Sequence, residues 1–492
     1  MQVTGENAFT YSYNGRNQLN SVTNPNSVQL SFSYDNGGGR TRITDPGSYV
    51  EYVYNARNWI TDVRNRTTGG TTRYDAAHYY NDGSTWDNVG NPLKRTENIA
   101  GSTYTTTLRY DAVYRETEET KRDSSNNVVY SLTYGYDACG NRTSRTLNGT
   151  TTNYGYDDSN KLTTVNSTTS CDYDGNGNLT HTYNNLPNQW MWYNDSNYLT
   201  HIRYGGGPTD DYYYYTNDGR RYRATLAGNT YRYLYDGARV LEELNDSGST
   251  MYARYTTENG SYYGALLHLY RSSGTLSRFP MYDNIGTVRG LVDVSGAVTD
   301  TYELDTFGRS VSSSGSTPNP YRFGGAWGYV TDPSGMLQLG VRHYWPELGK
   351  FLQQDPSRQE RNWYAYAAND PLATADPTGL MTTSECLNIA WGHFQNHVHQ
   401  LLVATTAAEL IVLVGAVAAA CATAGVSALV LWTAEASAAC NGATVLTLIN
   451  TAQFLIIYEL LVQDYMIDVK ACLRQYPMCE DPALSVQAAH AQ

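Results

Sequence analysis

The sequence is short of positive charge, of phenylalanine and of recognisable catalytic motifs. Its 34 Lys and Arg are outnumbered by 47 Asp and Glu, giving a net charge of −13. A chain of that sign is a poor wrapper of phosphate backbones, so no nucleic-acid partner is expected. The start, Met1-Gln2-Val3-Thr4-Gly5-Glu6, lacks the basic segment and apolar stretch of a signal peptide. There is no P-loop, no Gly-x-Gly-x-x-Gly on a strand–helix unit and no Ser/His/Asp arrangement. The seven cysteines show neither zinc-finger nor thioredoxin spacing. No cofactor and no metal is expected. What abounds is tyrosine, 45 against 8 Phe, together with 43 Gly. Aromatic residues at 13% exclude low-complexity disorder, and 492 residues set no limit on core size.

Tyrosine is unevenly spread. Only Tyr458, Tyr465 and Tyr476 lie beyond residue 380, whereas Cys386, Cys421, Cys440, Cys472 and Cys479 all do. Two materials are joined near residue 380. Within the first, a Tyr followed by Asp or Asn, with Gly or Asn close behind, recurs. Instances are Tyr13-Asn14-Gly15-Arg16, Tyr34-Asp35, Tyr54-Asn55, Tyr74-Asp75, Tyr110-Asp111 and Tyr136-Asp137-Ala138-Cys139-Gly140-Asn141. Others are Tyr156-Asp157, Tyr173-Asp174, Tyr193-Asn194, Tyr215-Thr216-Asn217-Asp218-Gly219, Tyr235-Asp236-Gly237 and Tyr282-Asp283. Trp86-Asp87-Asn88-Val89-Gly90 reads as the same unit with Trp in place of Tyr. Between marks lie alternating runs such as Thr230-Tyr231-Arg232-Tyr233-Leu234-Tyr235, the period of a strand. Asp/Asn-x-x-Gly supplies the positive φ and side-chain cap of a tight turn. Each unit therefore reads as about one hairpin, and hairpins must pair edge to edge to be stable. The expected fold is mainly β, a continuous sheet in which tyrosine rings pack and their hydroxyls stay hydrated.

These marks resemble RHS (YD-repeat) proteins. The segment from Tyr282-Asp283-Asn284-Ile285-Gly286 through Tyr302-Glu303-Leu304-Asp305-Thr306-Phe307-Gly308-Arg309 and Tyr321-Arg322-Phe323-Gly324-Gly325 resembles that family's associated core. So do Gly340-Val341-Arg342-His343-Tyr344-Trp345-Pro346-Glu347-Leu348-Gly349-Lys350-Phe351, Asn362-Trp363-Tyr364-Ala365-Tyr366-Ala367-Ala368-Asn369-Asp370-Pro371 and Asp376-Pro377-Thr378-Gly379-Leu380. The resemblance implies repeats over 1–280, a core over 281–380 and a variable region over 381–492. It also implies a hollow β-shell that encloses whatever follows the core.

The resemblance further implies that the core's end is an aspartyl autoprotease. Its matching residues are Asp355 and Asp376, with Arg342 as charge partner and Leu380–Met381 as the bond cut. Two carboxylates held close cannot both ionise, which sets one as acid and the other as base. This chain departs from the pattern in reading Asp355-Pro356-Ser357-Arg358 without a Gly, and in having Trp345 and Lys350 where the family has Asp and Arg. The alternative is that both Asp-Pro pairs are turn and cap residues. Asp332-Pro333-Ser334-Gly335 is read as a hairpin turn.

Beyond Met381 the period changes. Leu410 to Ala434 and Asn441 to Tyr458 are free of charge, and Asn441-Gly442 marks a turn between them, so the tail reads as a hydrophobic helical hairpin. It either inserts in a membrane or packs as a bundle inside the shell. His393 and His397 stand four apart, the spacing of a zinc pair, but Trp391 and Phe394 point to an amphipathic helix. Cys472 and Cys479 are the pair expected to bond in an oxidising compartment. The function expected is a secreted or surface shell, the C-terminal part of a longer protein, that carries its own C-terminal region as a membrane-active cargo. The alternative is a membrane-anchored surface protein whose repeats bind carbohydrate or neighbouring cells, or a structural remnant without activity.

Overall fold

A computed structural model describes residues 8–55, 59–80, 91–207, 210–258, 264–357 and 362–380. Among them the regular structure is antiparallel strand, with three short 3-10 turns and no α-helix. The helical tail expected after residue 380, with its histidines and cysteines, lies outside the described residues, as does the Trp86 unit. Strands pair in strict chain order. Fifteen form one sheet from Thr10–Tyr13 to Thr168–Thr169, and fourteen a second from Cys171–Tyr173 to Ser310–Ser314. Four more, from Val330–Thr331 to Lys350–Phe351, make a closing sheet.

The turn chemistry is that of the sequence marks. Asp137 Oδ1 accepts the amide N–H groups of Cys139 and Asn141 at 2.9 and 2.8 Å, while Gly140 takes φ 79°. Asn14, Asp111, Asp157, Asp174 and Asn194 accept the same pair of bonds. The third residue after each (Asn17, Tyr114, Asn160, Gly177, Asn197) again has positive φ. Tyr235-Asp236 turns more tightly, with Asp236 paired to Arg239 and the positive φ at Gly237, and Tyr74-Asp75 does not turn at all. It lies inside the strand Thr72–Tyr79, because Ala77 and His78 follow where Gly or Asn would be needed to reverse the chain.

Some tyrosines, such as Tyr13 and Tyr222, are exposed as the sequence suggests, but many hydroxyls are not left to water. Many of the mark tyrosines reach back to a backbone carbonyl of an earlier unit, whereas Tyr74 donates to Glu97 Oε1 at 3.0 Å. Tyr34 donates to Leu19, Tyr54 to Arg40, Tyr136 to Glu116, Tyr156 to Arg142, Tyr193 to Leu179, Tyr235 to Arg221 and Tyr282 to Leu266, all at 2.7–2.9 Å. A β-bulge immediately precedes each of these tyrosines and interrupts the ladder there. The hydroxyl thus acts as a staple. Burial pushes the phenols of Tyr54 and Tyr235 up to about 12.

The sheets close on one another. Leu19, Leu30, Phe32 and Tyr74 of the first pack against Leu267, Phe279, Met281 and Val292 of the second. Arg40 pairs with Glu258 at 2.7 Å, and Asn24 Nδ2 donates to Thr256 Oγ1 at 2.9 Å. Deeper in, Lys121 bridges Glu97, at 3.4 Å, and Glu303. Nearby, Arg289 holds Asp283 at 2.9 Å. Burial raises the Glu97 carboxyl, but Arg95, Lys121 and Arg289 outweigh it and hold the group well below the usual range.

Candidate functional site

The closing sheet and the segment after it are seated on the repeat turns. Lys350 Nζ donates to Asn141 Oδ1 at 2.7 Å and to the Asn160 carbonyl at 3.2 Å. Asn362 Nδ2 shares Asn141 Oδ1 at 2.7 Å, Tyr364 donates to the Gly177 carbonyl at 2.7 Å and Gln353 Nε2 to that of Asn197 at 3.4 Å. Four successive turns therefore form a socket for residues 350–364. Burial pulls the Lys350 ammonium down to about 7, and Asp137 only partly offsets it. Trp345, which replaces an expected Asp, packs among Met336, Leu348 and Leu352.

This seating brings Asp355, Asp376 and Arg342 together. Arg342 Nη2 lies 3.1 Å from Asp355 Oδ2 and 3.0 Å from Asp376 Oδ2. Sharing one nitrogen holds the two oxygens within about 6 Å of each other, and all three side chains are buried. The rest of the guanidinium is fully engaged. Nη1 donates to the Trp363 carbonyl at 3.1 Å, Nε donates to the Gly379 carbonyl, and the cation stacks 3.6 Å from the centroid of Phe351. The other oxygen of each carboxylate caps a turn: Asp355 Oδ1 accepts Ser357 N–H at 2.7 Å and Asp376 Oδ1 accepts Leu380 N–H at 3.0 Å. One oxygen of each carboxylate thus faces Arg342 and the other caps a turn.

Leu380 sits at the end of this turn. Its amide is tied to Asp376 and to Thr378 Oγ1, at 3.2 Å, while Met381 lies outside the described residues. The turn lies against the closing sheet, since Val341 N–H donates to the Thr378 carbonyl at 3.2 Å. A side chain at Gly379, where φ is 66°, would overlap the Leu339 carbonyl. Asp332-Pro333-Ser334-Gly335 is a hairpin turn, as expected, with Gly335 N–H donating to the Asp332 carbonyl at 2.9 Å. Its carboxylate is spent on Arg221, also at 2.9 Å. Sequence reasoning missed the groups around the trio, namely Phe351, the Trp363 carbonyl, Tyr329 and Tyr366. Their only signal was membership of the quoted motifs or proximity to them. Among the described residues no three His, Cys, Asp or Glu are grouped to hold a metal ion.

No family model matches the chain. It is 29% identical over 394 residues to the tRNA3(Ser)-specific nuclease WapA of Bacillus spizizenii, covering 76% of this chain and 16% of that protein. It is 34% identical over 101 residues to the toxin protein Tse5 of Pseudomonas aeruginosa, covering 20% of this chain and 8% of that one. A solved structure of TcdB2–TccC3 superposes with a TM-score of 0.62 at 21% identity, covering 76% of this chain and 21% of that one. The chain thus spans about a sixth of the first of these relatives. The Tyr-Asp turns, the sheet built in chain order and these likenesses together agree with the resemblance to RHS, or YD-repeat, proteins.

Proposed function

We propose that this chain is an RHS shell that carries residues 381–492 as cargo and cuts itself after Leu380. The observation that carries the reading is the pair of carboxylates sharing Arg342 Nη2, the second of them, Asp376, only four residues ahead of Leu380. One carboxylate takes a proton from water as its oxygen bonds the Leu380 carbonyl carbon. The other, as the carboxylic acid, gives a proton to the Met381 nitrogen as the C–N bond breaks. The products are a Leu380 carboxyl group and a free Met381 amine. Arg342 orients both carboxylates and, through the Gly379 carbonyl, the chain leading to the bond.

Intact-mass measurement of the purified chain tests this directly. A fragment of 112 residues is expected, and Asp355→Asn and Asp376→Asn should each abolish it. Persistence of the intact 54.7 kDa chain, or cleavage by either variant, sinks the reading. The charge-free runs at 410–434 and 441–458 support a membrane as the cargo's target. Flotation of the released segment with liposomes is the expected result, and its absence would count against membrane action.

One surface favours a second reading, glycan binding by the repeats. Trp192, His201 and Tyr212 lie side by side on three adjacent strands, with ring centroids 4.4 Å apart in both stacked pairs. Trp192 is 41% and Tyr212 38% exposed, a flat aromatic row of the kind on which sugar faces stack. A glycan array should light up with the wild type and not with Trp192→Ala; equal signals would discard this reading.

A further inference from the structure

Two quoted motifs are not used by the cleavage chemistry, Tyr321-Arg322-Phe323-Gly324-Gly325 and Asn362-Trp363-Tyr364-Ala365-Tyr366-Ala367-Ala368-Asn369. They converge on one amide. Asp376 lies in an irregular stretch with no strand ladder to fix it. Its N–H donates to the Tyr329 hydroxyl at 2.7 Å, and the Tyr366 hydroxyl donates to that same oxygen at 3.2 Å. Both tyrosines are buried, at 0% and 2% exposure, in a cluster with Phe323, Leu339, Tyr344 and Phe351.

Each motif supplies a backbone feature that places one hydroxyl. Gly324 has φ 56°, and the space its side chain would take is filled by the Tyr329 ring. Any other residue there would push that ring away from Asp376. Tyr366 enters a turn in which Ala367, Ala368 and Asn369 all have positive φ, at 49°, 46° and 66°. Three consecutive left-handed residues other than Gly are costly, and such strain persists only where the surroundings enforce it. Here Asn369 Nδ2 is anchored on the Gly140 carbonyl at 2.9 Å and Asp370 N–H on that of Ala367 at 2.8 Å.

We propose that Tyr329 and Tyr366 are positioning residues for self-cleavage. The Tyr329 hydroxyl fixes the backbone of Asp376 so that its carboxylate meets Arg342, and Tyr366 aims that hydroxyl. This rests on the reading of Asp355 and Asp376 as the cleaving pair. Neither tyrosine touches the reacting atoms; both act through Asp376.

The test follows release of the 112-residue fragment from the full chain over time and pH, with thermal melting of each variant in parallel. Tyr329→Phe should slow cleavage about tenfold and Tyr366→Phe about threefold, the size expected from one lost hydrogen bond and a displaced carboxylate. Tyr329→Phe should also displace the pH–rate profile, because the Asp376–Arg342 contact loosens. Wild-type rate and profile in Tyr329→Phe, beside inactive Asp355→Asn and Asp376→Asn, would overturn this proposal and leave the cleaving pair standing. Slower cleavage that merely follows a lowered melting temperature, with the profile unmoved, would reduce both tyrosines to a structural role and overturn it too. Gly324→Ala separates these cases: it keeps both hydroxyls but displaces one, and should slow cleavage as Tyr329→Phe does. No cleavage by the wild type would defeat the parent reading, and this one with it.

Discussion

A hydroxyl group is all that separates Tyr from Phe, and here it joins many of the hairpins to the one before. Tyr136 and Tyr156 spend theirs on the carbonyls of Glu116 and Arg142, each from a bulge that interrupts the ladder just before the tyrosine. Tyr136→Phe and Tyr156→Phe should each cost about 1 kcal/mol, seen as a lower denaturant midpoint at unchanged slope. Tyr212, 38% exposed, should tolerate the same change within about 0.5 kcal/mol. The excess of Tyr over Phe was legible in the sequence, but its reason was not. For every staple named but that of Tyr282, the acceptor is the residue six positions after the preceding mark tyrosine, a relation fixed by register rather than by residue type. Tyr74-Asp75 shows the complementary limit. The dipeptide alone does not make a turn; a residue able to adopt positive φ soon after it does, three places after the Asp at Gly140 or one place after at Gly237.

At the scale of elements, the sheets are fastened by buried charge as well as by apolar packing. Lys121, 2% exposed, neutralises Glu97 and Glu303 across the junction. Lys121→Met would leave Glu97 short of a partner in the interior and should cost about 3–5 kcal/mol in chemical denaturation. Arg232→Ala, which removes a half-exposed pair with Asp246 at 3.6 Å, should change stability by less than about 0.5 kcal/mol. The hairpins themselves were readable from alternation and turn residues, which are local. The junction was not, because Lys121 and Glu303 are 182 residues apart and nothing in either neighbourhood names the other. The site divides in the same way. Asp355, Asp376 and Arg342 were identifiable from motifs, whereas the bond from Asp376 to Tyr329 spans 47 residues and depends on the missing side chain of Gly324.

The whole molecule carries a pH signature. Burial, reinforced by Glu119, Asp370 and Asp305, pushes the Glu116 carboxyl well above its ordinary 4.5. Burial and Glu119, opposed by Arg309, push Asp305 up to about 6 from 3.8. The folded chain therefore holds protons that the unfolded chain gives up. Their stabilisation is complete below about pH 4 and is lost as pH rises through 6 and beyond. His78, His268 and His343, held at about 3 mainly by burial, act in the opposite sense and cost stability as pH falls below 6.5. Glu116→Gln should accordingly stabilise the protein by about 1–3 kcal/mol at pH 8 and by much less at pH 4. Melting curves of both proteins at the two pH values check this, and an equal difference at both would exclude Glu116 as the titrating group.

Strict chain order in the sheets also sets a schedule. Each tyrosine staple needs only residues some 14–20 positions earlier, so a unit can be completed as soon as it has been made. The socket for residues 350–364 is built from turns at 137–198, all finished well before the segment they receive. The two aspartates meet Arg342 only after that segment is seated. The proposed cut after Leu380 would then be the last event on the assembly line, and a fragment released there would certify that the shell was finished first.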